Sequence, residues 1–402
     1  MGRAVGVGAL GRSGGGERAS QLTSHEREVN VEFGRQLVSI IVVHYGAFVT
    51  LSSCLNSIIR HTPNVEIIVV DNNQLPASFV EKFPAVKLIR SGSNIGFGAA
   101  CNAGAKAASG LVLVFMNNDI EVSAGWLSAL IRPFSSPSVG STCPLVVLRK
   151  NPEVVNAAGG DADFVAFAWN RLMGRERSTD ADRTRFFYAP GCCVAVRRTA
   201  FDWIGGFDES MFLFLEDVDL SWRLRMAGWD IVYAGDSVVY HEWMASTSQL
   251  TPTDIQYLFN RNRLRLILKN YGGATLLRVL MAYVVLQLGL ILWIVRRRQV
   301  LELRAVIAAL LWNLRNLPNN LKARQHAQLS RRRSDRDIVR FMYRGIAGIH
   351  LVLGTMKHPV FETYFNRILL HSLSEARRNH NRLVSVLTPS VRVPTENRNR
   401  DV

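Results

Sequence analysis

Three clusters of polar residues stand where they could do chemistry. Asn117-Asn118-Asp119 closes the apolar run 111–115. A carboxylate at a buried strand end can hold a hard divalent cation shared with phosphate oxygens, yet Asn and Asp also end strands because they form turns. Glu216, Asp217 and Asp219 place three carboxylates within one helical turn. Crowded like charges raise at least one pKa, which makes a carboxylate a competent general base; compensation of a helix dipole is the plainer account and needs only one or two acids. His241, beside Glu242, ends another apolar run, as a metal ligand or as a satisfied histidine. Asp71 ends the run 65–70, as a turn former or as a group that meets nucleotide hydroxyl or base-edge donors.

A further small-residue loop, Asn94-Ile95-Gly96-Phe97-Gly98, enters a helix carrying Asn102 and Gly104. Small residues let a backbone approach a phosphate, and a helix N-terminus favours its charge. The loop follows a third strand and lacks GxGxxG spacing, so a dinucleotide-binding fingerprint is rejected. No Walker motif, serine nucleophile elbow or HExxH is present.

Positioning such groups takes a sheet whose strand ends open on one side. The β-branched run 37–43, helical spacing at Leu51, Leu55, Ile58 and Ile59, and the run 65–70 predict β-α-β. A short strand at 86–89, a helix over 96–108 and a strand at 111–115 continue the alternation. The fold class expected is α/β, a mostly parallel central sheet with helices on both faces. Ligands bind such sheets where strand C-termini open into loops, and His44-Tyr45, Asp71-Asn72-Asn73, 93–96 and 117–119 all fall there. After Pro144 a loop-rich flap is expected to about Arg185, then a strand pair over 186–196 interrupted by Ala189-Pro190-Gly191. The acids at 216 open a helix to 226, capped near Gly228. Short strands at 231–233 and 237–240 lead to His241, and Thr251-Pro252 opens a helix to about Tyr271.

Charge divides the chain. The net +16 is −3 over residues 1–260 and +19 over 261–402, which implies an anionic partner for the C-terminal third. The run 279–295 carries no charge; as a helix it reaches about 25 Å, slightly short of the roughly 30 Å hydrocarbon core. Arginines border it and a second apolar stretch at 305–314, which suits a membrane surface better than a DNA groove. With 48% apolar and 20% charged residues, disorder throughout is excluded. The five cysteines, without CxxC spacing, suggest a reducing compartment. Residues 1–36 suit a flexible tail, and no secretory signal is visible.

Taken in order, these segments resemble the family 2 glycosyltransferases with the GT-A fold, and among them the rhamnosyltransferase-like branch. The carrying stretches are VSIIVVHY at 38–45, IIVVDNN at 67–73, SNIGFGAACNAG at 93–104, LVFMNNDI at 113–120, APGCCVAVRR at 189–198 and GGFDESMFLFLEDVDLSWRLRMAGW at 205–229. The resemblance spans roughly half the chain. It implies a catalytic domain over 37–250 and a basic helical membrane-associated region over 251–402. Asp217 would be the base toward an acceptor hydroxyl, with Glu216 and Asp219 supporting it. Asp71, Asn94, Gly96 and Asn102, with Tyr45, Asn118 and Gly191, would line the nucleotide of a sugar donor. Asp119 and His241 would hold Mg²⁺ or Mn²⁺; the first acidic position of the family's DxD-type triplet is Asn117 here. The implied reaction is inverting transfer of a sugar, rhamnose from dTDP-rhamnose being suggested, to a lipid-linked or polysaccharide acceptor in cell-envelope synthesis. The expected place is the cytoplasmic face of the inner membrane. Alternatives are a donor carrying galactofuranose or N-acetylglucosamine, or a non-catalytic basic protein that binds lipid or nucleic acid; a nucleic-acid partner is not expected.

Overall fold

The computed structural model describes residues 38–177, 185–242 and 250–345. The tail expected over 1–36 and the 346–402 part of the basic region lie outside the described residues. The strands are β1 (Val38–His44), β2 (Glu66–Asp71), β3 (Lys87–Arg90), β4 (Val112–Asn117), β5 (Ile120–Val122), β6 (Val139–Leu148), β7 (Asn151–Ala158), β8 (Gly160–Ala162), β9 (Ala168–Asn170), β10 (Cys193–Arg197) and β11 (Asp230–His241).

The main sheet runs β3-β2-β1-β4-β10-β6-β11-β5, with β7 also on β6, and β8 with β9 forms a separate hairpin. Its first four strands are parallel, as is β6 with β11, while β10, β5 and β7 run antiparallel to their neighbours. β1 is buried along its whole length because helices cover both faces. Ile40 and Val42 point to one core with Leu51, Leu55 and Ile58 of the Phe48–His61 helix, and Ile41 and Val43 to the other with Phe97, Ala100 and Ala105 of the Phe97–Ala107 helix. That alternation is the period-2 geometry of a strand. At Gly104 an added Cβ would stand 2.3 Å from Ile41 Cγ2, so only glycine lets this helix sit so close to the sheet.

Two departures from the sequence pattern share one cause. The stretch after Pro144, expected to be an irregular flap, begins inside strand β6 and turns back as β7. The two short strands over 231–240 are one strand, β11. Pro144 lies opposite Ala234, where β11 shifts register between Ala234 and Val238. A ladder already interrupted there loses little from proline's missing N–H. Of the strand pair expected over 186–196, only β10 forms; Tyr188 makes an isolated bridge to Gly160.

Beyond residue 250 the described chain is helical: Pro252–Asn270, Gly273–Arg296, Val300–Arg315, Leu317–Leu329 and Asp335–Val339. These helices share a core with what precedes them, since Leu215, Val218 and Trp222 pack in one cluster with Leu266, Ile267, Tyr271, Val279 and Tyr283. The Pro252–Asn270 helix opens with a Thr251/Asp254 capping box and buries Asn260, Arg261, Asn262, Arg265, Lys269 and Asn270. A helix that buries polar groups on several sides is a bridge between layers.

Candidate active site

Parallel pairing brings the C-terminal ends of β1, β2 and β4 to one edge, and the sheet order reverses beside β1. Asp119 follows β4 at that point. β11 comes back antiparallel to β5, setting His241 opposite Ile120, and the Glu242 amide donates to the Asp119 carbonyl at 3.1 Å. His241 Nε2 therefore lies 3.2 Å from Asp119 Oδ1, with both side chains largely buried. On its other side, His241 Nδ1 lies 2.9 Å from Asn156 Oδ1 on β7, and Asp119 Oδ1 has no hydrogen-bond partner. Once Nδ1–H is donated to Asn156, the Nε2 lone pair and a carboxylate oxygen face each other. Two acceptors so placed are satisfied by a proton on Nε2 or by a cation, so the pair fits a divalent ion. Among the described residues no group of three or more His, Cys, Asp or Glu gathers. A cation held here would complete its shell from substrate oxygens or water.

Asp217 sits in the first turn of the Glu216–Met226 helix. Its Oδ2 accepts from the Gly191 amide at 2.8 Å and its Oδ1 from the Val218 amide at 2.8 Å. The next carbonyl along, that of Cys192, accepts from the Asn117 amide at 3.0 Å. One two-residue segment thus ties the Asp217 helix to the end of β4. Burial pushes the Cys192 thiol far up, and the charges of Asp119 and then Asp217 add to it. Asp119 and Asp217 accordingly both lie near Cys192.

The three acids of the 216–219 cluster part company. Asp217 is partly exposed; burial raises its pKa, and the Gly191 and Val218 amides oppose the rise. Glu216 is buried with Oε2 unpartnered, and burial followed by the Asp217 charge pushes it up to about 8. Asp219 is closed off from the site, with Arg223 at 2.6 Å and Lys269 at 2.7 Å. Burial acts upward on it, but these two cations hold it below the usual carboxylate range. Asp219 anchors the helix instead of touching the reacting groups.

The residues expected along a nucleotide divide similarly. Asn118 Nδ2 bridges His44 Nδ1 at 3.3 Å and the Tyr45 carbonyl at 3.2 Å, stitching the ends of β4 and β1. His44, its pKa lowered by burial against the opposing charge of Asp71, suits that acceptor role as a neutral ring. The Asp71 carboxylate is enclosed by the Asn73 and Leu75 amides at 2.9 and 2.7 Å and by Arg90 at 3.1 Å. It folds its own loop and leaves the exposed Asn73 at the rim. Asn94 Oδ1 accepts from the Gly96 amide at 3.0 Å. Asn102 is turned away from the sheet edge: it bonds Phe207 through both its oxygen and its amide, and Glu209 at 2.9 Å. Asp71 and Asn102 thus spend these hydrogen bonds on backbone and side-chain groups of the scaffold.

Gly96 has φ +86, and a Cβ on it would stand 2.4 Å from the Phe212 carbonyl oxygen, which also accepts from the Phe97 amide at 2.9 Å. Phe212, Phe214 and Leu215 themselves adopt positive φ of 57, 69 and 67. Side chains rarely accept that conformation unless their surroundings impose it. Asn262 Nδ2 supplies the restraint, lying 2.8, 2.9 and 2.7 Å from the carbonyls of Met211, Leu213 and Phe214, and Arg261 reaches Met211 O at 2.7 Å. Sequence reasoning missed Asn262, Arg261 and Asn156. The signal available was the run Asn260-Arg261-Asn262, too polar for the buried side of an ordinary helix.

The model for "Glycosyl transferase family 2" matches residues 39–205. An N-acetylglucosaminyl-diphospho-decaprenol L-rhamnosyltransferase of Mycobacterium tuberculosis is 30% identical, over 53% of this chain and 78% of that one. The chain belongs to glycosyl transferase family 2. The glycosyltransferase is also 30% identical to an O-antigen biosynthesis protein RfbC of Myxococcus xanthus, over 53% of this chain but 18% of the relative. Among solved structures it is similar to GalNAc-T7 with UDP, GalNAc and Mn²⁺, with TM-score 0.47, 21% identity, and coverage of 58% of this chain and 48% of that one. The mostly parallel sheet with its helices is the GT-A fold that goes with family 2. The matched residues contain Asp71, Asp119 and Gly191, and end before Asp217 and His241.

Proposed function

We propose that this glycosyltransferase inverts configuration as it moves a sugar, rhamnose from dTDP-rhamnose, onto a lipid-linked glycan acceptor in cell-envelope synthesis, at the cytoplasmic face of the membrane. The observation that supports it is the 191–192 segment, whose Gly191 amide holds the partly exposed Asp217 carboxylate and whose Cys192 carbonyl accepts from Asn117, two residues before the buried Asp119. The similarity to a rhamnosyltransferase named for a diphospho-decaprenol acceptor supports the donor and acceptor classes. The basic C-terminal third supports an anionic surface nearby.

Asp119 and His241 would hold Mg²⁺ or Mn²⁺, which when bound supplies positive charge for a leaving diphosphate. The remaining work belongs to the chain. The amides of Gly191 and Val218 orient the Asp217 carboxylate, and burial keeps its proton affinity above that of an ordinary aspartate, so it takes the acceptor hydroxyl proton as the oxygen attacks the anomeric carbon. Attack from the side opposite the leaving group inverts that centre. Asn73 and the Asn94–Gly96 loop line the nucleotide end.

The test is a panel of nucleotide sugars, dTDP-rhamnose, UDP-galactofuranose and UDP-N-acetylglucosamine among them, assayed with a polyprenyl-diphosphate glycan with and without Mn²⁺. Transfer confined to dTDP-rhamnose supports the reading. Transfer from another sugar replaces the donor, and no transfer from any sinks it.

A further inference from the structure

The Gly273–Arg296 helix has 24 residues, about 36 Å at 1.5 Å per residue, which is long enough to cross a bilayer. It is also the single described helix apolar enough to do so. Its packing argues otherwise. Leu277, Met281, Val284, Leu288, Leu292 and Val295 are each more than half exposed and recur at spacings of three and four residues, one continuous stripe of a 3.6-residue period. The opposite face is buried in protein and carries polar groups. Tyr283 lies with its ring 5.1 Å from the Arg263 guanidinium, and Gln287 Nε2 reaches Asn260 Oδ1 at 3.4 Å. Both partners belong to the Pro252–Asn270 helix, which also holds Arg261, Arg265 and Lys269. A spanning orientation would drag that helix into hydrocarbon, at several kcal/mol for each charge.

Charge gives the same answer. Arg278 near one end and Arg296, Arg297 and Arg298 at the other are exposed, and among the described residues no ion pair holds them. Arg297 lies 4.7 Å over the Trp293 ring, an aromatic and cationic pair of the kind that sits at headgroup level. A crossing helix would put one of these cationic ends on the far side, whereas a helix lying flat keeps both on one anionic surface.

We infer that the Gly273–Arg296 helix lies in the plane of an anionic bilayer surface, its 277–295 stripe sunk among the acyl chains and its terminal arginines on the phosphates. This deepens the proposed function, on which it rests for the membrane setting, by giving the face the protein turns to its lipid-linked acceptor.

The experiment uses the full chain and vesicles free of any acceptor, of phosphatidylglycerol with phosphatidylcholine or of phosphatidylcholine alone. The expected result is sedimentation with the anionic vesicles, weakened at least about tenfold by Met281→Asp with Leu288→Asp and made less salt-sensitive by changing Arg296, Arg297 and Arg298 to serine. Cysteines placed at Ala274 and Arg298 are both expected to react with an impermeant maleimide added outside. Protection of one of them would mean a crossing helix and would overturn the inference. So would unchanged vesicle binding by the aspartate pair, or a wild-type dimer that ignores vesicles and is split by that pair. Turnover of a soluble acceptor analogue, measured alongside, separates failure at the surface from failure of the proposed reaction: the aspartate pair should retain it.

Discussion

The side-chain amide of Asn262 lies 2.7 Å from the carbonyl oxygen of Phe214, so the Pro252–Asn270 helix donates into the loop that delivers Asp217. Two amide hydrogens serve three carbonyls there, and on its other flank the same loop accepts from the Phe97 amide at the start of the Phe97–Ala107 helix. Asn262→Ala should lower kcat about tenfold or more while leaving the donor KM nearly unchanged, because a displacement near 1 Å of a base is that costly. Asn262→Asp, which turns the donor into an acceptor facing carbonyls, should be worse. Steady-state kinetics decide it; a rise in donor KM at constant kcat would assign Asn262 to binding.

Asp217→Asn should reduce transfer by about 10²–10⁴-fold, the usual worth of a positioned base, with donor affinity retained by calorimetry. In the wild type the rate should fall on acidification through a point above the ordinary aspartate range, since burial raises this carboxyl and only its ionised form accepts a proton. Near-normal turnover in the variant would remove Asp217 from the chemistry.

Asp119→Ala and His241→Ala should each weaken Mn²⁺-dependent donor binding, and the double variant should cost less than the sum, because the pair acts as one site. Titration of Mn²⁺ against donor affinity is the measurement. Midpoints equal to wild type in both single variants would exclude the 3.2 Å pair as a cation site.

Glu216→Gln tests a carboxyl that is neutral at pH 7. Its folded pKa of about 8 exceeds the ordinary value of 4.5, so the folded state binds more protons than the unfolded one between these limits. Its contribution is complete below about 4.5 and is lost as pH rises toward 8. The melting temperature of the glutamine variant relative to wild type should therefore climb from pH 5 to pH 8, by an amount on the order of a few kcal/mol in stability. Parallel curves would show that Glu216 is not held protonated.

The first half of the fold was legible because β1, β2 and β4 are mostly apolar runs that end in His44, Asp71 and Asn117, and the 216–226 helix declared its bounds with acids at one end and glycine just beyond the other. Pro144 hid β6, since its tolerance depends on an irregularity in β11 nearly a hundred residues away. The metal-pair candidates Asp119 and His241 were visible as strand ends, yet Asn156 was not, as its role exists only through the hairpin that Pro144 concealed. Asp219 was expected to support Asp217; that its charge is met by Arg223 and by Lys269, fifty residues on, could not be read from the spacing of the three acids.

Because Asp208 takes its countercharges from Arg265 and Lys269, and Asp219 shares Lys269 with Arg223, a shortened chain ending near residue 250 would leave Asp208 without a partner cation and Asp219 with Arg223 alone, and breaking a buried pair commonly costs about 3–5 kcal/mol. Exchange of C-terminal segments among relatives, in the laboratory or over evolution, would have to carry the Pro252–Asn270 helix along with the enzyme.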